Sequence, residues 1–161
     1  MNKFILLICI CLVSFSSKAF EVKNQIALGV SQPYLINPDK HISDTTMVFS
    51  YRRQFQNRLF LNANMMLGLA GRHALRNQYG MGLNLARSST FKPYASFNFL
   101  HEWEKTGNFG VSPRVGVEFD LSRLTNIYFV FLRVEIGWNF LFLEPARNEF
   151  DLYRISIGWG F

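Results

Sequence analysis

The sequence predicts an all-β chain, an eight-stranded antiparallel up-and-down transmembrane β-barrel. Three observations predict it. Apolar residues recur at every second position in eight separate stretches after residue 20. The face opposite them is small or polar and carries charges of both signs. Between these stretches lie turn-forming links whose lengths alternate, as in barrels with short turns at one end and longer loops at the other.

Residues 1–19 are expected to be a signal peptide and residues 20–161 the barrel domain. Asn2 and Lys3 precede an apolar run at residues 4–15, and Ser16, Ser17, Lys18 and Ala19 follow it. A basic start, a short apolar core and a small-residue exit are the marks of a cleaved leader, with cleavage after Ala19. The run has 12 residues, whereas a spanning helix needs roughly 20. Both cysteines, Cys9 and Cys11, fall inside this leader. The mature chain then has neither disulfide nor thiolate metal site, although its route is oxidising. Without Lys3 and Lys18 it keeps 15 Lys and Arg against 11 Asp and Glu, a net +4. That surplus is dispersed along the chain and forms no nucleic-acid patch, though basic loops suit anionic lipopolysaccharide.

Successive side chains of a strand point to opposite faces, so every second residue shares a side. In the first strand Ile26, Leu28 and Val30 face outward, against Gln25, Ala27, Gly29 and Ser31. The second sets Met47, Phe49 and Tyr51 against Thr46, Val48, Ser50 and Arg52. The third sets Leu59, Leu61, Ala63, Met65, Leu67 and Leu69 against Phe60, Asn62, Asn64, Met66 and Gly68. The fourth pairs Tyr79, Met81, Leu83 and Leu85 with Gln78, Gly80, Gly82, Asn84 and Ala86. The fifth sets Ala95, Phe97, Phe99 and His101 against Tyr94, Ser96, Asn98, Leu100 and Glu102. The sixth sets Val111, Pro113, Val115, Val117 and Phe119 against Ser112, Arg114, Gly116, Glu118 and Asp120. In the seventh, Tyr128, Val130, Leu132, Val134, Ile136, Trp138 and Phe140 oppose Ile127, Phe129, Phe131, Arg133, Glu135, Gly137 and Asn139. The eighth sets Tyr153, Ile155, Ile157, Trp159 and Phe161 against Leu152, Arg154, Ser156, Gly158 and Gly160.

A soluble antiparallel sheet also alternates, so a calycin-like barrel with its apolar rows inside is the rival. The opposite face separates the two. Glycine, serine and asparagine with paired charges suit a narrow interior that eight strands fill with side chains; the apolar rows then face lipid. Long links are expected at residues 32–43, 71–76, 103–110 and 141–150, and short turns at 53–58, 87–91 and 121–126. Pro33, Pro38 and Pro145 fall in the links. Pro93 and Pro113 stand at strand starts, and Pro113 puts the sixth strand's beginning at or just after itself, because a closed sheet has no edge on which to lose a ladder bond.

The last residues carry a resemblance. Tyr153, Ile155, Ile157 and Trp159 alternate up to Phe161, with Gly158 inside the run. This resembles the terminal strand of Gram-negative outer-membrane barrels, and the resemblance implies that these five residues signal to the barrel assembly machinery. In size and layout the mature chain is similar to OmpA-like and OmpX-like barrels, though no internal motif is diagnostic of either. The resemblance implies a location in the outer membrane, with outer-membrane lipid and lipopolysaccharide around the barrel and a possible extracellular ligand at the loops. Trp103, Tyr128, Trp138, Phe140, Tyr153, Trp159 and Phe161 are placed near strand ends, where aromatic girdles meet the membrane interface.

The inward charges Arg52, Glu102, Arg114, Glu118, Arg133, Glu135 and Arg154 form the candidate site. Unpaired charges in a low-dielectric interior are costly, so these are expected to pair. OmpA-like barrels hold comparable interior pairs, which implies a plugged interior; a narrow ion channel is the alternative. A lipid A-modifying enzyme is the other class. His101 faces lipid near a rim, but Trp103 stands where such a deacylase has its serine, and Ser112 points inward. His41 and His73 lie in links with no nearby Cys or suitably spaced acid, so a metal site there is poorly supported. No cofactor, metal or nucleic acid is expected, and the reading is a structural or surface-interaction barrel.

Overall fold

The computed structural model describes residues 23–35, 45–55, 58–69, 75–86, 90–103, 107–121, 129–143 and 147–161. The leader expected at residues 1–19 lies outside them, as do Pro38, His41, His73, Ile127, Tyr128 and Pro145. The strands are β1 (Lys23–Leu35), β2 (Thr46–Phe55), β3 (Leu59–Gly68), β4 (Arg76–Asn84), β5 (Phe91–Glu102), β6 (Asn108–Asp120), β7 (Val130–Leu141) and β8 (Arg147–Gly160). Each pairs antiparallel with the next, and β1 pairs with β8, so the sheet closes as a barrel. Closure leaves no edge of unpaired N–H and C=O groups, the condition for crossing hydrocarbon with strands. The seam runs to the last residue, with Asn24 and Phe161 exchanging backbone hydrogen bonds of 2.8 Å.

We call the rim where β1 starts and β8 finishes the lower rim; it carries the links 56–58, 85–90 and 121–129. The upper rim carries 36–45, 69–75, 103–107 and 142–146. The two faces of the wall are opposite in character. Outward side chains such as Phe99, Met81 and Ile157 are exposed by 66, 60 and 56%, whereas Arg76, Gln78, Asn98 and Glu102 are at 0%. An apolar exterior around an ionic interior overturns the soluble, calycin-like reading, which needs the reverse.

Three inward aromatics shape the lower half. Phe60, Tyr94 and Phe131 stand near the starts of β3, β5 and β7, directly across from Gly82, Gly116 and Gly158 on the following strands. Each ring occupies the space a side chain there would need. A Cβ at Gly82 would come within 2.2 Å of the Phe60 ring, and one at Gly158 within 2.4 Å of the Phe131 ring. These three glycines are therefore seats for neighbouring rings, in agreement with a crowded interior.

Several expected boundaries move. The strands reach further into the upper links: β1 runs to Leu35, β4 starts at Arg76, β6 at Asn108 and β8 at Arg147. The expected contrast of short turns and long loops disappears as a result, since the lower link 121–129 is longer than the upper links 103–107 and 142–146. Pro33 thus lies within β1 and Pro113 within β6. Pro113 is tolerated because the β6–β7 ladder skips Ser112 and Pro113 while the β5 ladder runs through them; the missing N–H is taken from one side only. At the other end, Phe129 was expected inside β7. It adopts a left-handed φ of 68°, is exposed, and precedes the strand, its carbonyl accepting from Gly160 N at 2.9 Å.

The largest correction is in β8. Between Asp151 and Arg154 the strand holds one residue more than either neighbour, because Ser31–Pro33 on β1 and Glu135–Gly137 on β7 both advance by two while β8 advances by three. This β-bulge shifts the phase of alternation. Leu152, expected inward, is exposed, and Asp151 is fully buried in its stead. Tyr153 sits beside the bulge in mid-strand, not near a strand end as expected, and its hydroxyl bonds Gln32 Oε1 at 2.5 Å.

Candidate functional site

The interior holds five arginines (Arg52, Arg76, Arg114, Arg133, Arg154) and five acids (Glu102, Glu118, Glu135, Glu149, Asp151), none more than 4% exposed. Alternation brings seven of them inward as the sequence pattern places them. Arg76, Glu149 and Asp151 were missed. Arg76 simply continues the even-numbered row of Gln78 and Gly80, so extending that row would have found it. Glu149 and Asp151 are hidden by the bulge, which puts them out of phase with Arg154.

All ten charges belong to one connected lattice. At the top, Arg76 Nε donates to Glu102, its cross-strand neighbour, at 2.7 Å. Its two terminal nitrogens grip Glu149 across the barrel at 2.7 and 2.9 Å, the fork geometry that makes arginine–carboxylate pairs strong. Asn139 donates to Glu149 at 3.5 Å and accepts from Ser112 at 2.8 Å and Arg114 at 3.2 Å. Arg114 also binds Asp151, which accepts from Ser31 at 3.0 Å. Arg154 lies 3.6 Å from Asp151 and 3.4 Å from Glu135, joining the upper cluster to the lower.

In the lower cluster Glu135 accepts from the Tyr94 hydroxyl at 2.5 Å and faces Arg52 at 3.8 Å. Glu118 gathers Arg133 at 3.0 Å, Arg52 at 3.4 Å and Lys92 at 3.7 Å. Gln25 bridges this pair, donating to Glu118 at 3.0 Å and accepting from Arg133 at 2.9 Å. The Arg52 guanidinium lies between two rings, 3.9 Å from the Phe60 centroid and 4.2 Å from that of Tyr94. Its Nε and Nη2 have no hydrogen-bond partner among the described residues, and the ring faces offset that lack through cation–π attraction.

On the exterior, His101 stacks on Phe109 with centroids 4.4 Å apart and lies 4.5 Å from Trp103. Ser112 is fully buried and bonded to Asn139 on the other side of the wall, so His101 and Ser112 cannot act together. Ile155, Ile157, Trp159 and Phe161, with Leu152, are exposed along the outside of β8. Trp103, Phe109, Trp138 and Phe142 are exposed toward the upper rim, and Phe91, Phe129, Trp159 and Phe161 toward the lower.

No protein-family model matches the chain, and no curated protein matches it by sequence. Solved structures do match its fold. The attachment invasion locus protein Ail of Yersinia pestis, in complex with the heparin analogue sucrose octasulfate, aligns with a TM-score of 0.60 at 11% identity, covering 88% of this chain and 99% of Ail. The N-terminal β-barrel domain of Pseudomonas aeruginosa OprF aligns with a TM-score of 0.60 at 10% identity, covering 87% and 97%. A de novo designed transmembrane β-barrel gives 0.59 at 16% identity, covering 86% and 95%. At these identities the likeness is one of fold: the chain has the architecture of the small eight-stranded outer-membrane barrels.

Proposed function

We propose that this protein is an integral outer-membrane barrel with a structural or surface-interaction role, its interior plugged by the ion-pair lattice. The observation that carries the plug is the neutral, connected set of five arginines and five acids inside eight strands. Small barrels of this strand number are filled by side chains. The apolar exterior supports lipid on all sides, the acyl chains of lipopolysaccharide included. The β8 row of Ile155, Ile157, Trp159 and Phe161 supports recognition by the barrel assembly machinery, with the leader at residues 1–19 as the export signal.

Any surface partner would meet the upper links, if that rim is the external one. Ail's heparin analogue suggests a polyanion as one such partner, but charge argues against it here. The upper links with Arg147 carry Lys40, Arg72, Lys105 and Arg147 against Asp39, Asp44, Glu104 and Glu144, a balance that gives a polysulfate no net attraction. Lipid A modification has no support from the His101–Ser112 geometry. The channel alternative is tested in planar bilayers. Wild type is expected to carry no sustained current, and the Arg114→Ala/Arg154→Ala variant to show openings. A stable ohmic conductance in wild type would refute the plug. Outer-membrane fractionation, with a gel shift on boiling, tests the location.

A further inference from the structure

From Phe20 onward the chain has 15 Lys and Arg and 11 Asp and Glu. The barrel divides them into three unequal groups. Inside, five cations meet five anions. By sequence, the upper links with Arg147 hold four of each sign. What remains by sequence is Lys23, Arg53, Arg58, Arg87, Lys92 and Arg123 against Glu21 and Asp120. The entire net +4 of this stretch therefore belongs to the lower rim. By sequence, each lower link contains one arginine and no acid: Arg58 in 56–58, Arg87 in 85–90 and Arg123 in 121–129.

The side chains described there border the apolar belt. Arg53 is half-buried on the outward face of β2, two residues beyond Tyr51, with its guanidinium 5.7 Å from the Phe55 ring. Arg58 is exposed at the turn, whereas Lys92 shares the inward row of Tyr94 and pairs with Glu118 at 3.7 Å. Exposed Phe91, Phe129, Trp159 and Phe161 occupy the same end. Aromatics and cations together at the edge of an apolar band mark the depth of lipid headgroups. A soluble polymer would need no such alignment with the belt.

We propose that the lower rim, through Arg53 and Arg58, binds the phosphate groups of anionic phospholipid in the leaflet it meets, and so selects that lipid as its boundary. This rests on the membrane-barrel reading above. The test is native mass spectrometry of the full folded chain released from bilayers of equimolar phosphatidylcholine and phosphatidylglycerol. A cation near an anionic surface contributes about 1 kcal/mol, roughly fivefold. Wild type should retain phosphatidylglycerol about threefold to tenfold over phosphatidylcholine. Arg53→Gln/Arg58→Gln should bring the ratio close to one, and adding Arg87→Gln/Arg123→Gln should not raise it again. The upper-rim variant Lys40→Gln/Arg72→Gln/Lys105→Gln should keep the wild-type ratio.

Equal retention of both lipids by wild type overturns the proposal, as does an equal loss in the upper-rim variant. Displacement of the retained lipid by inorganic phosphate at constant ionic strength would assign the rim to the free anion. Sedimentation with purified peptidoglycan that needs Arg53 and Arg58, without lipid preference, would assign it to the cell wall. Heat-shifted bands in both pure lipids show insertion independently of headgroup; a chain that inserts into neither overturns the barrel reading along with this one.

Discussion

Removing Arg76 is the sharpest test of the lattice. Its guanidinium is fully buried and makes three charge-assisted bonds of 2.7, 2.7 and 2.9 Å to two carboxylates, one on each side. Arg76→Ala leaves Glu102 and Glu149 buried without the guanidinium that joins them. Breaking one buried pair costs about 3–5 kcal/mol, and here one deletion breaks two, so the upper end of that range is expected. Such a loss lowers the folding constant by a factor of several hundred to several thousand, about tenfold for each 1.4 kcal/mol. The companion variant Arg76→Met/Glu102→Gln/Glu149→Gln removes the charge and keeps the volume. It should recover most of the loss, because neutral groups have a far smaller desolvation cost. Urea unfolding in phospholipid vesicles, followed by Trp103, Trp138 and Trp159 fluorescence, reads both. A loss under about 1 kcal/mol for Arg76→Ala would mean that water screens the site as it does a surface pair. A triple variant no more stable than the single one would show that charge burial is not the cost.

Three further outcomes follow from the packing. Gly82→Ala forces a methyl group against both the Phe60 ring and the Ala95 carbonyl, and should destabilise the barrel by about 1–3 kcal/mol in the same assay; wild-type stability would contradict the ring-on-glycine fit. The bulge makes residue 152 lipid-facing, so a single tryptophan at Leu152 should be quenched by brominated lipid and one at Asp151 should not. The opposite pattern would remove the bulge. Phe161→Ala should lower the fraction of chain that reaches the heat-modifiable form in cells while leaving refolding in detergent nearly unchanged. Equal loss in both settings would make Phe161 a packing residue and not a recognition signal.

What the sequence by itself determined was the architecture and the sidedness of the wall. A period of two is a local property of extended backbone, so Ile26 with Leu28, or Arg133 with Glu135, can be put on their faces without knowing any partner. The glycine- and charge-rich inner rows then decide which face is enclosed. Local pattern also stops short of strand ends, and the even row through Gln78 was broken off before Arg76. Tertiary structure alone decided the rest. An added residue at Leu152–Tyr153 resets the phase, and only pairing with β1 and β7 reveals it; Glu149 and Asp151 enter the lattice for that reason. Cross-barrel partners such as Arg76 with Glu149, or Gln25 with Glu118, are 73 and 93 residues apart. Alternation says that each points inward, and closure of the sheet decides which of them meet.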